Sequence, residues 1–175
     1  MEMTLLIYSA AIIVAGIACF TDLRSRRISN RLVITGLVAG CFLNTLRGGW
    51  TSLGWSLAGA LLGLALFLPF FALGGMGAGD VKLLACLGSI LGPHDLVAVA
   101  LVGALIGGVM ALVVAAASGR LLATLRGIGQ LFAFWISGGL RPSPVLNLGN
   151  PGALKIPYAV PVAAGTLAVL LSRWS

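Results

Sequence analysis

Charged residues, and acidic ones above all, are scarce in this sequence. Only 9% of its 175 residues are charged, whereas a soluble globular domain carries about 25%. So few charges cannot cover a surface that faces water, which excludes an ordinary soluble domain. Hydrophobic residues make up 59% of the chain, and the mean hydropathy is +1.10. Repeated long apolar stretches are typical of transmembrane helices, so we expect lipid to surround most of the protein.

Residues that commonly build disulfide, metal and nucleophile sites are also lacking. Cys19, Cys41 and Cys86 lie in apolar segments without a CxxC pair, which argues against a disulfide framework or a zinc site. His94 is the single histidine, and neither a GxSxG nor an HExxH motif occurs. Serine-protease and zinc-protease chemistry therefore lack their residues. The basic residues form no dense patch interleaved with aromatics, so we expect no nucleic-acid partner.

Six apolar segments predict an all-α polytopic membrane protein that forms a single domain over residues 1–175. The predicted spans are about 3–20, 32–46, 51–73, 80–92, 95–117 and 156–173. The second and fourth are short for a bilayer core of about 30 Å, which needs roughly 20 helical residues. Positive charges follow the first segment instead of preceding it. We therefore interpret it as a retained helix and not as a cleaved signal peptide.

The distribution of basic residues predicts an orientation, because cytoplasmic loops are enriched in Lys and Arg. Nine of the eleven basic residues fall in alternate loops on one side, namely Arg24, Arg26, Arg27, Arg31, Lys82, Arg120, Arg126, Arg141 and Lys155. Arg47 and Arg173 fall on the other side. We therefore expect both termini outside and a long cytoplasmic loop over about 118–155.

Part of that loop has an amphipathic helical pattern. Most large apolar residues between 120 and 136 fall on one helical face, and most polar residues fall on the other. A helix lying on an anionic lipid leaflet has this pattern. The alternative is a continuation of the fifth span, since Leu131 and Phe134 interrupt the polar face. The stretch 141–155 contains three prolines and two asparagines and is predicted to be irregular.

The chain has only four acidic residues, Glu2, Asp22, Asp80 and Asp95. Glu2 is terminal, and Asp95 lies in a short external loop where a turn or N-cap role is the ordinary interpretation. Asp22 and Asp80 both lie at the cytoplasmic edge of a span, where an ionisable group is costly and indicates function. Taken singly, Asp22 can pair with a neighbouring arginine and Asp80 can cap the fourth span. Taken together, they predict a catalytic pair of carboxylates.

A close pair of carboxylates has a defined chemistry. The two groups cannot easily ionise together, so one holds a proton while the other acts as a base. The base removes a proton from a water molecule that attacks the scissile carbonyl, and the protonated partner donates to the oxyanion and the leaving nitrogen. The pair titrates as a unit, so neither Asp22 nor Asp80 is assigned permanently as acid or base.

The residues around Asp80 fit this chemistry. Gly77 and Gly79 form a GxGD sequence with it, and residues without side chains allow the backbone to turn and to approach a substrate closely. Close helix packing is the alternative role of these glycines. Lys82 is positioned either to contact a carboxylate, of the protein or of the substrate, or to extend its ammonium group into the membrane interface.

Three stretches of the sequence resemble the type IV prepilin peptidase family. They are TDLRSRRISNR at 21–31, GGMGAGDVKL at 74–83 and IPYAVP at 156–161. The chain looks most like the short, methylase-free members of tight-adherence (Flp-type) pilus systems. Ser29, where the family usually has proline, and Pro161, where short members often have a different small residue, are departures that leave both aspartates in place.

The resemblance implies a GxGD membrane aspartic protease with Asp22 and Asp80 as catalytic residues. It adds Asn30, Pro157 and Tyr158 as residues near the substrate. The implied substrate is a prepilin-like precursor, cleaved after a glycine at the cytoplasmic face of the bacterial inner membrane. The cysteine-rich domain of longer members is absent from this sequence, so we expect cleavage without N-methylation and without S-adenosylmethionine or another cofactor.

Alternative functions use the same residues differently. A small proton-coupled transporter or channel also needs intramembrane carboxylates and glycine-broken helices. A catalytically silent assembly factor of a secretion system and a presenilin-like protease that cuts within helices are further possibilities. Prepilin-like substrates and anionic lipids are the expected partners, and the sequence leaves the oligomeric state open.

Overall fold

The computed structural model describes residues 2–138 and 157–173, with residues 131–138 described by their backbone alone. These residues form five α-helices and no strand. The helices are α1 (Glu2–Ser25), α2 (Asn30–Ala72), α3 (Ala78–Ala117), α4 (Leu121–Gly138) and α5 (Ala159–Ser172). The all-α prediction is therefore confirmed for the described part of the chain. The predicted irregular stretch 141–155, with Arg141 and Lys155, lies outside the described residues.

Helix α2 reverses direction at Gly48 and Gly49, where the backbone leaves the helical conformation and Gly49 has a φ of +62°. Contacts across the break show the reversal. Cys41 and Ser56 would be about 22 Å apart on a straight helix, yet Ser56 Oγ donates a hydrogen bond to Cys41 Sγ at 3.5 Å. The two halves of α2 therefore pack side by side, and the break falls between the predicted second and third spans.

Helix α3 reverses in the same way at Gly92, which has a φ of +80° and is followed by Pro93. Tyr158 shows the reversal because it lies near a residue in each half of the helix. A Cβ atom at Gly107 would be 3.8 Å from its ring, and its hydroxyl interacts electrostatically with Asp80. Asp80 and Gly107 would be about 40 Å apart on a straight helix.

Helix α1, the two halves of α2, the two halves of α3 and helix α5 thus form six helical segments that alternate in direction. Helix α4 is not one of these six. The predicted spans 32–46 and 51–73 are the two halves of α2, and 80–92 and 95–117 are the two halves of α3. Helices α1, α2 and α3 are long and apolar enough to cross a membrane, and α5 is a shorter apolar helix. These features identify a membrane protein, whereas the number of crossings stays a prediction.

Two buried polar side chains donate hydrogen bonds to the carbonyl groups that the break in α3 leaves without a helical partner. Pro93 has no N–H to donate to the Ser89 carbonyl, and the turn at Gly92 removes the regular partner of the Ile90 carbonyl as well. Asn44 Nδ2 donates to both carbonyls at 3.1 and 3.0 Å, and Ser56 Oγ donates to Ser89 O at 2.6 Å. The bend is therefore satisfied by protein groups, as backbone surrounded by lipid requires.

Glycines allow α2 and α3 to pack closely. A Cβ atom at Gly59 would clash with the carbonyl oxygen of Gly88, and one at Gly63 would lie 2.7 Å from the carbonyl oxygen of Leu84. Small residues at such crossings permit the backbone contact that drives helix association in lipid. This packing holds the first half of α3, which carries Asp80, against both halves of α2.

Helix α4 is separated from α3 by a turn in which Gly119 has a φ of +66°. Since α3 ends at Ala117, the alternative that residues 121–136 continue the fifth span is wrong. Leu122, Leu125 and Ile128 are exposed on α4. Among the described helices it packs only against α3. The prediction that it lies on a lipid leaflet is untested.

Candidate active site

Asp22 and Asp80 meet at one end of the bundle, where they line a cavity of about 320 Å³. The end is formed by the last turn of α1 and the first turns of α2, α3 and α5. The lining residues are Asp22, Arg26, Arg27, Ile28, Asn30, Gly77, Ala78, Gly79, Asp80 and Lys82. Six of the eight predicted site residues are among them, and the two aspartates are close enough to interact electrostatically.

Asp22 lies within the last turn of α1, which extends to Ser25 and not only to the predicted end near residue 20. Its side chain is buried, with 8% of the residue exposed. The N–H of Ala159, the first residue of α5, donates to Asp22 Oδ2 at 3.3 Å. The N-terminus of a helix carries a partial positive charge that favours a carboxylate. The described residues offer no hydrogen-bond donor to the other oxygen, Oδ1.

The segment Pro157-Tyr158 positions this N–H. Tyr158 is the N-cap residue of α5, and Pro161 in the first turn is buried against Gly107 of α3. Neither Pro157 nor Tyr158 lines the cavity, but Tyr158 is close enough to Asp80 to interact electrostatically. Sequence reasoning missed Ala159, because a backbone donor has no residue type to mark it.

Asp80 lies in the first turn of α3, whose N-cap residue is Gly77. The prediction that Asp80 itself caps the helix is therefore wrong in position. Its carboxylate reaches back instead, and the Gly77 N–H donates to Asp80 Oδ2 at 3.3 Å. Like Asp22, it leaves Oδ1 without a hydrogen-bond donor among the described residues. Each carboxylate thus has one oxygen fixed by a backbone N–H and one oxygen free.

The two glycines of the GxGD sequence make room for this arrangement. A Cβ atom at Gly77 would lie 2.9 Å from Asp80 Oδ2, so a side chain there would displace the carboxylate. A Cβ atom at Gly79 would lie 3.3 Å from the Cβ of Ile28, so this glycine lets the segment after α1 approach α3. Gly77 and Gly79 therefore both act through close contacts at the cavity.

The neighbouring cations do not neutralise the aspartates. In residues 2–138 and 157–173, no Lys or Arg lies within salt-bridge distance of Asp22 or Asp80. The predicted alternative of an Asp22 pair with Arg24, Arg26 or Arg27 is therefore absent. Lys82 Nζ donates to Asn30 Oδ1 at 3.2 Å and joins the starts of α2 and α3. Lys82 thus holds an amide oxygen and not a carboxylate of the protein.

Arg26 turns the chain at the end of α1. It adopts the left-handed conformation with a φ of +50°, and its N–H donates to Asp22 O at 2.8 Å. This conformation costs a residue with a side chain about 1–2 kcal/mol. The turn places Arg26 and Arg27 on the cavity wall, which sequence reasoning missed because it considered both only as topology signals or as possible salt-bridge partners of Asp22.

In the part of the chain that the structure describes, no group of three or more His, Cys, Asp or Glu side chains comes together to form a metal site. A model of the type IV leader peptidase family matches residues 9–112, which contain both aspartates and more than half of the chain. No curated protein and no solved structure matches the sequence.

Proposed function

The chain belongs to the type IV leader peptidase family, and we propose that it is a membrane aspartic endopeptidase that uses Asp22 and Asp80 to remove the leader of prepilin-like precursors. The observation that carries this proposal is the pair of interacting carboxylates in one cavity, each with a free oxygen. The family match shows a protease, and the aspartic mechanism is inferred from the site.

The geometry supports hydrolysis by a carboxylate pair. The Ala159 and Gly77 N–H groups each hold one Oδ2 atom, which directs the two Oδ1 atoms away from backbone donors. One carboxylate removes a proton from water, and the water oxygen attacks the scissile carbonyl carbon. The second aspartate, which is protonated at the start, gives its proton to the leaving nitrogen as the C–N bond breaks. The single proton that the pair shares at the start is restored by the water.

The size of the cavity supports a narrow substrate. About 320 Å³ is at the lower end of the range of small-molecule pockets. A scissile bond that follows a glycine fits such a space, because the backbone can approach both aspartates without a side chain in between. We propose that the apolar helix of the precursor lies in the membrane beside the bundle and that its leader extends beyond the cavity.

The arrangement of charges supports an orientation with this cavity in the cytoplasm of a bacterium, at the inner membrane. Arg24, Arg26, Arg27, Arg31 and Lys82 belong to the segments that form the cavity end. Arg47 and Arg173 lie near the opposite end, beside the bends of α2 and α3. This asymmetry favours a cytoplasmic active site with both termini outside. Six crossings, a Flp-type substrate and cleavage without N-methylation belong to the same proposal.

The test is cleavage of a pilin-type precursor by the purified protein in liposomes, followed by mass spectrometry of the released leader. We expect Asp22→Asn and Asp80→Asn each to lower the rate by about 10²–10⁴-fold, the contribution of general acid–base catalysis. Asparagine keeps an oxygen that accepts from Ala159 or Gly77, so both variants should accumulate in the membrane.

Asp95→Asn is the matched control, because Asp95 pairs with Arg173 at the far end of the bundle. Its rate should equal that of the unchanged protein. Wild-type rates in either Asp22→Asn or Asp80→Asn would disprove the catalytic assignment. A proton-coupled transporter, the alternative function, would leave the precursor intact in every variant.

A further inference from the structure

A second cavity, of about 520 Å³, lies at the end of the bundle opposite to the aspartates. It is formed where α2 and α3 reverse direction, and Asn44, Arg47, Trp55, His94 and Asp95 are among its lining residues. None of these residues takes part in the proposed proteolysis. The cavity is therefore a separate feature that the proposed function leaves unexplained.

Asn44 presents a hydrogen-bond acceptor to this cavity. The residue is 8% exposed, and its Nδ2 donates to the carbonyls of Gly40, Ser89 and Ile90 at 2.9–3.1 Å. Three acceptors on one nitrogen fix the orientation of the amide, so Oδ1 points the other way. No described donor reaches Oδ1. Since no enclosed side-chain oxygen in the described part of the chain lacks a partner, Oδ1 opens to the cavity that Asn44 lines.

Arg47 brings a positive charge to the same cavity. The residue is exposed, and no carboxylate among the described residues lies within salt-bridge distance of it. A guanidinium group binds phosphate through paired N–H donors. Arg47 therefore supplies hydrogen-bond donors for a phosphodiester. Asn44 Oδ1 is an acceptor, so a ligand that fills the cavity should also carry a hydrogen-bond donor.

Trp55 favours a positively charged donor, and Asp95 adds a carboxylate oxygen to the same wall. Trp55 is 61% exposed at the cavity, and an indole face attracts cations. Asp95 Oδ1 binds Arg173 at 2.9 Å and His94 at 3.2 Å, which leaves Oδ2 without a described partner. The wall thus combines an unpaired cation with an aromatic face, a carboxylate and an amide oxygen. This combination is complementary to a zwitterion.

Tryptophans also locate the cavity relative to the lipid. Trp50 and Trp55 are 85% and 61% exposed, and tryptophan is enriched at the level of lipid headgroups. A ligand with a phosphate and an ammonium group at this level is a phospholipid headgroup. We propose that this cavity binds the headgroup of phosphatidylethanolamine, with the phosphate on Arg47 and the ammonium group at Asn44 Oδ1 and Trp55.

The test is native mass spectrometry of the full-length protein titrated with lipids of matched acyl chains. The unchanged protein should bind phosphatidylethanolamine about tenfold more tightly than phosphatidylcholine, whose trimethylated nitrogen cannot donate to Asn44. Arg47→Gln should weaken phosphatidylethanolamine binding about tenfold or more through loss of the charged contact. Arg24→Gln changes another exposed arginine, outside the cavity, and should bind as the unchanged protein does.

The remaining arms separate the sources of the same chemistry. Free phosphoethanolamine should bind far more weakly, because it lacks the acyl chains that lie in the membrane. Equal binding of phosphoethanolamine, or tighter binding of phosphatidylglycerol, would overturn the assignment. So would equal affinity for the choline and ethanolamine lipids, or an unchanged affinity of Arg47→Gln for phosphatidylethanolamine. Arg47 is exposed, so in the absence of lipid Arg47→Gln should melt at the same temperature as the unchanged protein. A lower melting temperature would show that the loss of binding is a folding effect, and it would also count against the site.

Discussion

Replacing Gly59 with alanine tests the close contact between the two longest helices. A Cβ atom at this position would clash with the carbonyl oxygen of Gly88 and would lie 2.8 Å from its carbonyl carbon. The carbonyl carbon of Gly92 would be 2.9 Å away. Nonbonded carbon atoms prefer about 3.5–4.0 Å. All three neighbours are backbone atoms that no rotamer change can move, so α2 and α3 must separate.

The expected cost is about 1–3 kcal/mol, the usual effect of overpacking a close-packed interior. At roughly 2–4 °C per kcal/mol for a chain of this size, the melting temperature should fall by about 2–12 °C. Cys86 has 0% exposure in α3. Cys19 and Cys41 are only half-buried, so the variants are compared in a Cys19→Ala, Cys41→Ala background. Heating this detergent-solubilised protein with a thiol-reactive fluorophore then reports when the contact between the two helices opens and exposes Cys86.

Gly54→Ala is the matched control in the same half of α2, because a Cβ atom there meets nothing within 4 Å. Alanine in a helix interior is favoured over glycine by about 0.5–1 kcal/mol, so this variant should melt at the same or a slightly higher temperature. If Gly59→Ala had the same melting temperature as Gly54→Ala, the close packing of α2 on Gly88 would be refuted.

Two further predictions concern how the site is held together. Gly165→Ala should lower both the melting temperature and the cleavage rate. Its Cβ atom would lie 2.8 Å from the backbone nitrogen of Gly103 and would displace α5, the helix whose N–H binds Asp22. Gly108→Ala places its Cβ atom in open space and should lower neither quantity. Lys82→Met and Asn30→Ala should show a coupling of about 0.5–1.5 kcal/mol in a double-mutant cycle on stability, and fully additive effects would show that their 3.2 Å hydrogen bond contributes nothing.

Local properties of the sequence were enough to predict much of the fold. Apolar stretches predict helices, and the gaps between these stretches predict where one span ends and the next begins, because hydropathy depends on neighbouring residues alone. The reversal at Gly49 falls within the predicted gap between the second and third spans, and the reversal at Gly92 falls at the last residue of the predicted fourth span. The end of α1 was harder to predict, since Asp22 and Ser25 look like a loop in composition and are helical in the structure.

The candidate site divides in a similar way. Asp22 and Asp80 could be chosen by elimination, because the chain has only four acidic residues. The partner of Asp22 could not be chosen, because the Ala159 N–H is 137 positions away and every residue except proline has such a group. Lys82 carried two interpretations in the sequence, and only its position beside Asn30 decided against contact with a carboxylate of the protein.

By itself, the sequence determined that this is a helical membrane protein with a single credible pair of carboxylates, since scarcity of charge is a property of composition. The tertiary structure decided which groups hold that pair and which remain free to react. Those contacts join residues far apart in the chain, and they depend on how closely the helices pack at positions such as Gly59 and Gly165. Packing of this kind is a sum over distant neighbours, so no local pattern in the sequence records it.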